Sequence, residues 1–346
     1  LIASNRINTP AVAEAVLAGG AADMVSMARP FLADPDFVAK AAVGRSAEIA
    51  PCIACNQACL DHTFAGKIST CLVNPRACFE TEIDPAPTGH SKQIAVVGAG
   101  PAGLATAIAA ADRGHRVTLF DTTNRVGGQL HYAARVPGKE EFRGLIAWFE
   151  TMLAKTGVEA RLGAVATPDD LTGFEEIVIA TGVTPRDPAI LNEGARVLSY
   201  VEVLTGAPVG DSVAIVGSGG IGFDIATFLT HADSPTNDLA AWRAEWGVGD
   251  PAEVPGGLVP PNSAPSPRKV TLLQRKPRAL GKSLGRTTGW IHRASLRAKG
   301  VENLSGVRYD RITPDGLWIT TQAGPRLIEA DTVVICAGQE SARGLA

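Results

Sequence analysis

Residues 93–121 read QIAVVGAGPAGLATAIAAADRGHRVTLFD, and this stretch decides the fold. An apolar run leads into Gly98, Gly100 and Gly103, and a helical pattern and a second apolar run follow. Strand, glycine-rich turn, helix and strand in this order predict a parallel unit that binds a dinucleotide. The first glycine makes the tight turn, the second lets the backbone approach a pyrophosphate, and the third lets helix and strand pack closely. Asp121 ends the next strand, where we expect it to bind ribose hydroxyls; the alternative is a purely structural glycine turn.

The same unit recurs as SVAIVGSGGIG at residues 212–222. Its glycines are Gly217, Gly219 and Gly222. The following strand ends in LLQRK, so that no acid stands at the ribose position and the cations Arg275 and Lys276 follow it instead. Cations there would bind a 2′-phosphate, which an acid would repel. We therefore predict an NADPH site rather than an NADH site; the alternative is a solvated basic turn.

Two further apolar strands end in turns of small residues. One ends in Thr181 and Gly182, and the other in the Cys-Ala-Gly run at 336–338. In paired nucleotide folds, such turns let the backbone pass close to a cofactor. Taken alone they could be ordinary strand ends, but after two glycine loops they support cofactor contact.

The cysteines form a motif of a different kind. Cys52, Cys55, Cys59 and Cys71 follow the spacing C-x2-C-x3-C-x11-C, whereas Cys78 and Cys336 stand apart, and we expect both of these to be small buried residues. Four thiolates suit a [4Fe–4S] cluster. Zinc is the alternative, although zinc sites usually pair two C-x2-C units. Beside two dinucleotide folds, an electron carrier is the favoured interpretation.

The first 45 residues predict a strand, a helix, a second strand and a second helix, which is the βα repetition of a barrel or a doubly wound sheet. Thr9 and Pro10 are typical of the start of the first helix. Arg6 follows one strand, and Ala28 and Arg29 follow the next. In (β/α)8 barrels the loops after the last strands hold a phosphate, so these residues are candidates for a flavin phosphate. Arg29 as an ordinary surface ion-pair residue is equally compatible with the sequence.

Composition excludes several classes. The chain has 346 residues, 45% of them hydrophobic, and a net charge of −3 from 32 basic and 35 acidic residues. It has no basic excess typical of nucleic-acid binders, and no apolar run reaches the roughly 18 residues of a membrane span. One dense cysteine cluster in an otherwise cysteine-poor chain indicates a reducing compartment, and we expect the cytoplasm.

A family resemblance rests on seven segments: SNRINTPAVAEAV, ADMVSMARPFLADPDF, PCIACNQACLDHTF, CLVNPRAC, VVGAGPAGL, VGSGGIGFD and TTGWIHR. Together they resemble the NADPH-dependent 2,4-dienoyl-CoA reductases of the old yellow enzyme class, in register over essentially the whole chain. The cysteine segment and TTGWIHR are far more specific than the glycine loops.

The resemblance implies an α/β fold: the C-terminal part of a (β/α)8 flavin barrel, an iron–sulfur segment and two tandem Rossmann-like dinucleotide-binding domains. The implied boundaries are 1–45 for the barrel end, 46–81 for the cluster, 82–91 for a linker, 92–208 for the FAD domain, 209–330 for the NADPH domain and 331–346 for a return to the FAD domain. FMN would contact Arg6, Ala28 and Arg29. FAD would be lined by Gly103, Asp121 or Thr122, and Gln129, and the cluster would be held by Cys52, Cys55, Cys59 and Cys71.

The implied reaction passes electrons from NADPH to FAD, then to the [4Fe–4S] cluster, FMN and finally a 2,4-dienoyl-CoA thioester in fatty-acid β-oxidation. The family's catalytic Tyr and His belong to barrel units that would precede Leu1, and a family segment that completes the FAD site would follow Ala346. We therefore expect no catalytic residue in this chain and no dienoyl-CoA reduction by it alone. The alternatives are a trimethylamine-dehydrogenase-like enzyme and an electron-transfer fragment without turnover.

Overall fold

The computed structural model describes residues 1–345. Long-range contacts divide the chain into two compact units. Unit 1 comprises Leu1–His131, Glu141–Gly182 and the residues from Ala342 on, and unit 2 comprises Tyr132–Glu140 and Val183–Ser341. Among the described residues, no helix is both long and apolar enough to span a bilayer.

Unit 1 begins with a small parallel βαβ element. Strand β1 (Ile2–Ser4) pairs with β2 (Met24–Ser26), and helix α1 (Pro10–Ala18) connects them. The hydroxyl of Thr9 accepts a hydrogen bond from the N–H of Val12, so the predicted start of α1 is confirmed. Two strands cannot close a barrel, and the barrel stays a prediction.

The helix that the sequence predicts from residue 35 to about 43, after Asp34, forms as α3 (Phe37–Ala42). A short helix that the sequence did not indicate, α2 (Arg29–Ala33), precedes it. The carboxylate of Asp34 lies buried between them and accepts hydrogen bonds from three donors, namely the N–H groups of Asp36 and Ala50 and the ammonium of Lys40. This carboxylate ties the turn to a residue 16 positions further on, a contact that no local pattern indicates.

Residues 46–91 contain little regular structure. A 3-10 turn spans Ser46–Glu48, and a π-helical turn at Gln57–Asp61 runs into α4 (His62–Phe64). Cys59 therefore lies in the π-helical turn, whereas Cys52, Cys55 and Cys71 lie in irregular loops.

The first dinucleotide fold completes unit 1. Its four strands are all parallel, in the order β5-β4-β3-β6. Its elements are β3 (Gln93–Val97), α5 (Pro101–Asp112), β4 (Arg116–Asp121), α6 (Leu130–Ala133, which crosses into unit 2), α7 (Phe142–Thr156), β5 (Glu159–Leu162) and β6 (Glu176–Ile179). Strand β3 is buried after its first residue, which is why it reads as a continuous apolar run.

Unit 2 contains a five-stranded parallel sheet in the order β12-β11-β10-β16-β9, a mostly antiparallel sheet in the order β15-β14-β13-β8, and the antiparallel pair β17-β7. Its first half comprises β7 (Val183–Pro185), β8 (Leu191–Asn192), β9 (Val197–Ser199), α8 (Tyr200–Thr205), β10 (Ser212–Val216), α9 (Gly220–Leu229), α10 (Leu239–Trp246) and β11 (Lys269–Gln274). Its second half comprises α11 (Gly289–Ala298), β12 (Glu302–Ser305), β13 (Arg308–Thr313), β14 (Gly316–Thr321), β15 (Gly324–Glu329), β16 (Thr332–Ile335) and β17 (Gln339–Ser341).

The chain crosses between units at other positions than the sequence analysis expected. Strands β9 and β16 both lie in the second parallel sheet, where β16 pairs with β10 and with β9. Residues 197–199 therefore pack with the second fold rather than the first, and so do residues 332–335.

Candidate functional sites: two glycine loops and a cysteine pocket

The first glycine loop divides its glycines between packing and open space. A β-carbon on Gly98, which has φ +112°, would lie 2.2 Å from the carbonyl oxygen of Ala180. One on Gly103 would lie 1.8 Å from the carbonyl oxygen of Gly98. A β-carbon on Gly100 meets no atom within 4 Å. The first and third glycines are thus required by the protein's own packing, whereas the space in front of the second is free for a ligand.

The other predicted FAD residues surround this loop. Asp121 accepts hydrogen bonds from the N–H of Ala99 at 2.6 Å and from that of Thr123 at 2.7 Å. Thr122 is the residue between Asp121 and Thr123 in the chain, within the turn that this second hydrogen bond closes. The turn that carries Gln129 is held to the loop by the N–H of Gly127, which donates to Ala99 at 2.8 Å.

The small-residue turn after β6 also meets the loop. The N–H of Ala180 donates to the carbonyl of Val97 at 2.7 Å, and the hydroxyl of Thr181 donates to the carbonyl of Ala342. Gly182, at φ +74°, follows directly. The structure brings both predicted residues, Thr181 and Gly182, to the carboxyl end of the parallel strands, where ligands of such sheets bind.

The second glycine loop repeats the pattern. A β-carbon on Gly217 would lie 2.3 Å from the carbonyl oxygen of Cys336, and one on Gly222 would lie 1.9 Å from that of Gly217. One on Gly219 meets nothing within 4 Å. The repeat seen in the sequence is thus a repeat of geometry, with the turn at 336–338 in the place of the turn at 180–182.

A cavity of about 430 Å³ opens at the second loop. Its lining includes the glycine loop, the end of β11 and the turn at 336–339. The predicted cations Arg275 and Lys276 both line it, together with Arg278, which the sequence analysis missed. No aspartate or glutamate is among its lining residues. An anionic ligand is therefore favoured here by charge as well as by the open backbone.

Tyr309 is a second lining residue that the sequence analysis missed. Its hydroxyl donates to the carbonyl of Leu273 at 3.1 Å. Burial raises the pKa of Tyr309 to about 12, despite the opposing effect of Arg275. The hydroxyl therefore stays protonated at neutral pH. Tyr309 lies on β13, 36 residues after Leu273, so only the strand register of unit 2 reveals its place in the cavity.

The predicted FMN residues line a separate cavity of about 210 Å³ in unit 1. Arg6, Ala28 and Arg29 all contribute, and so does Cys52. Arg6 pairs with Glu141, a carboxylate that the sequence analysis did not consider.

Arg29 lines this cavity and also the cavity around the four clustered cysteines, and Cys52 does the same. Its guanidinium donates to the side-chain oxygen of Asn56 at 2.6 Å and to that of Asn5 at 3.3 Å. These contacts join the strand-end loops to the cysteine segment, so Arg29 is not an isolated surface residue.

The four clustered cysteines line one small cavity, together with apolar residues such as Leu32 and Leu72. Burial raises the pKa of the Cys52 thiol and of the Cys55 thiol. The backbone N–H groups of Ala54 and Gln57 oppose this effect by hydrogen bonding to the two sulfurs, respectively. Four thiols in an apolar pocket with N–H donors suit an iron–sulfur cluster.

Within residues 1–345, however, no three His, Cys, Asp or Glu side chains are grouped closely enough to hold one metal ion. Four thiolates on a single zinc at 2.3 Å would lie about 3.8 Å apart. The ligand assignment of Cys52, Cys55, Cys59 and Cys71 stays a prediction. One detail of the sequence analysis was wrong: Cys78 is exposed, at a loop position with φ +63°, whereas Cys336 is buried as expected.

Two family profiles match the chain. The profile for pyridine nucleotide-disulphide oxidoreductases matches residues 92–346. The profile for the NADH:flavin oxidoreductase / NADH oxidase family matches residues 1–48. The first match covers both glycine loops, and the second covers Arg6, Ala28 and Arg29.

Individual relatives agree with these profiles. A metal reductase of Desulforamulus reducens is 35% identical over 349 residues, which is 99% of this chain and 51% of that protein. An NADH oxidase of Thermoanaerobacter brockii is 37% identical over 237 residues, which is 65% of this chain and 36% of that protein. The chain thus spans about half, or less, of the length of these relatives.

A solved complex of 2-naphthoyl-CoA reductase with 2-naphthoyl-CoA superposes with a TM-score of 0.85 at 28% identity, over 99% of this chain and 48% of that chain. Histamine dehydrogenase from Rhizobium sp. 4-9 superposes with a TM-score of 0.79 at 22% identity, over 99% of this chain and 48% of that chain, and supports the fold alone. The relatives share the flavin oxidoreductase class rather than one substrate. The two family matches support a flavin and a nicotinamide coenzyme as cofactors. This chain belongs to the pyridine nucleotide-disulphide oxidoreductase family.

Proposed function

We propose that this chain is the coenzyme-oxidising part of an NADPH-dependent reductase whose whole protein reduces a 2,4-dienoyl-CoA thioester. The observation that carries the proposal is the cavity at the second glycine loop, which is lined by Arg275, Lys276 and Arg278 and by no carboxylate. A 2′-phosphate carries up to two negative charges, and guanidinium groups bind such groups in bidentate fashion. NADH lacks this phosphate and would gain less from the three cations.

The first glycine loop is proposed to hold FAD. The gap in front of Gly100 would fit a pyrophosphate, because a β-carbon there meets no atom within 4 Å and the N-terminus of α5 follows directly. Asp121 already accepts the N–H of Ala99, and its carboxylate retains lone pairs for a ribose hydroxyl. FAD accepts a hydride when bound, and the chain's own part is to hold the isoalloxazine in position.

The cysteine pocket is proposed to hold a [4Fe–4S] cluster, and the cavity at Arg6 and Arg29 an FMN phosphate. The cluster would supply one-electron transfer between the two flavins. Cys52 and Arg29 line both cavities, so the two groups would be neighbours. Arg29 would then hold the side chain of Asn56 and contribute positive charge to the phosphate site.

The dienoyl-CoA substrate is the part of the proposal that depends most on resemblance. Its support is the TTGWIHR segment, the cysteine spacing and the similarity to 2-naphthoyl-CoA reductase, whose substrate is also a conjugated acyl-CoA. The cysteine-poor remainder of the chain fits a reducing cytoplasm.

An amine dehydrogenase is the second candidate. An N,N-dimethylglycine/sarcosine dehydrogenase of Chromohalobacter salexigens is 34% identical over 192 residues, and this match favours it. Such an enzyme would take electrons from an amine and would not need a coenzyme phosphate site. The intact second loop and its three cations favour the reductase.

The experiment is an anaerobic stopped-flow comparison on the whole protein. We expect NADPH to bleach the flavin absorbance much faster than NADH or trimethylamine does. We expect 2,4-dienoyl-CoA to restore that absorbance. Bleaching by the amine alone would favour the dehydrogenase, and NADPH bleaching without reoxidation by dienoyl-CoA would leave the coenzyme assignment intact but refute the substrate.

A further inference from the structure

The two glycine loops allow an internal comparison, position by position. In unit 1, Val97 pairs with Phe120, and Asp121 follows. In unit 2, Val216 pairs with Leu273, and Gln274 follows. Gln274 therefore occupies in the second fold the position that Asp121 occupies in the first.

The two side chains make opposite kinds of hydrogen bonds. Asp121 only accepts, from the backbone N–H groups of Ala99 and Thr123 and from the Thr123 hydroxyl. The amide nitrogen of Gln274 donates to the carbonyl of Lys276 at 2.9 Å and to that of Arg278 at 2.5 Å. Its amide oxygen accepts from the hydroxyl of Ser218, a buried residue of the glycine loop, at 2.5 Å.

The orientation of this amide is fixed by chemistry. The carbonyl oxygens of Lys276 and Arg278 can only accept, so the group that faces them must be the NH₂. A carboxylate in the same place would face two carbonyl oxygens without a donor. The loop of residues 275–278 could then not keep its present shape, in which all three of its cations line the cavity.

We propose that Gln274 is a positioning residue that sets coenzyme specificity, by bracing the basic loop against the glycine loop and by keeping the ribose position uncharged. The inference rests on the proposed NADPH site and deepens it. A neutral donor at this position serves two ends at once: it holds the cations toward the 2′-phosphate, and it removes the charge that would repel that phosphate.

Two variants separate these roles. Gln274→Met keeps the side chain neutral and nearly the same size but removes both donated bonds and the bond accepted from Ser218. Gln274→Glu keeps the shape, removes the donors and adds a charge. The control is Gln322→Glu, because Gln322 is exposed in the turn between β14 and β15 and is absent from the cavity lining. The probes are 2′,5′-ADP, which carries the 2′-phosphate, and 5′-AMP, which lacks it, with binding measured by titration calorimetry.

We expect Gln274→Met to bind 2′,5′-ADP about three- to tenfold more weakly than the wild type, because the lost hydrogen bonds no longer hold the basic loop in place. We expect Gln274→Glu to bind it more weakly again, by about thirtyfold or more in total. All three variants should bind 5′-AMP within about threefold of the wild type, which also reports that they are folded.

Unchanged 2′,5′-ADP binding by Gln274→Met would overturn the bracing role, and an equal loss in Gln274→Met and Gln274→Glu would overturn the charge role. A wild type that binds 2′,5′-ADP no better than 5′-AMP would instead refute the proposed NADPH site itself, before any variant is compared.

Discussion

Gly217 packs so closely against Cys336 that a β-carbon on Gly217 would lie 2.3 Å from the Cys336 carbonyl oxygen. Two residues on, Gly219 has φ −75° and faces open space. The two glycines of one motif therefore differ in role. Packing requires the first, and the second leaves space for the proposed coenzyme.

Substitution by alanine should separate the two reasons. We expect Gly219→Ala to leave the unfolding free energy within about 0.5 kcal/mol of the wild type, because alanine tolerates that backbone at small cost to the helix cap. Its coenzyme affinity should fall about tenfold or more, because the methyl group fills the pyrophosphate gap. Gly217→Ala should instead lose about 2 kcal/mol or more of stability. Urea denaturation and calorimetric titration with NADPH measure both effects; wild-type affinity in Gly219→Ala would contradict the assignment.

The cations of the second cavity predict a charge-specific defect. We expect Arg275→Ala to weaken NADPH binding by about tenfold and to change NADH binding by less than threefold, because only NADPH carries the phosphate. Arg297→Ala is the matched control, since Arg297 lies in the last turn of α11 and outside the cavity lining. Equal losses for both coenzymes in Arg275→Ala would argue for a general structural role.

The cysteine pocket predicts metal content. Protein purified without oxygen should contain about four irons and four acid-labile sulfides per chain. We expect Cys55→Ser to lose most of both, because a hydroxyl is a poor substitute for a thiolate ligand. Cys78→Ser is the control, since Cys78 is exposed and lies outside the pocket. Zinc in place of iron, or equal loss in the control, would refute the cluster.

A buried ion pair holds the long segment after α9 to the second fold. The side chain of Lys299 is only 2% exposed. Its ammonium pairs with Glu245 at 3.1 Å and donates to the carbonyl of Ala264. Lys299→Met removes the cation from the buried Glu245 carboxylate and leaves it the His231 ring nitrogen at 3.4 Å, so the variant should lose about 3 kcal/mol of stability. Lys269→Met, at an exposed lysine, should lose less than about 0.5 kcal/mol. Denaturant unfolding compares them; equal stabilities would show that the pair contributes nothing.

Acid stability should depend on Glu48. Hydrogen bonds from Arg45 and from Lys155 hold the pKa of this carboxyl at about 2, below the ordinary 4.5. Because the folded pKa is the lower one, the contribution to stability is present above about pH 4.5 and is lost as the pH falls toward 2. Glu48→Gln should therefore flatten the pH dependence of unfolding between these values. The exposed Glu14→Gln should not, and identical slopes for Glu48→Gln and wild type would contradict the prediction.

Much of the candidate sites could be predicted from the sequence because their signals are local. Glycines at fixed spacing, the Arg275-Lys276 pair after a strand and the four cysteines each lie within about twenty consecutive residues. The structure brings the glycines to two loops of the same geometry and the cysteines to one pocket. The helix α2 and the contact of the Asp34 carboxylate with the N–H of Ala50, by contrast, were not anticipated.

The sequence by itself determined the tandem glycine loops, the order of strand, turn and helix around each, and the sign of the charge beside the second, since neighbouring residues encode all three. Only the tertiary structure decided that β16 joins the second sheet, that Tyr309 and Arg278 line the cavity at the second glycine loop, and that the Gln274 amide contacts the basic loop. These contacts join side chains to backbone groups whose positions follow from strand register and loop shape. The pairing of distant segments fixes that geometry, and no local pattern of residue types encodes it.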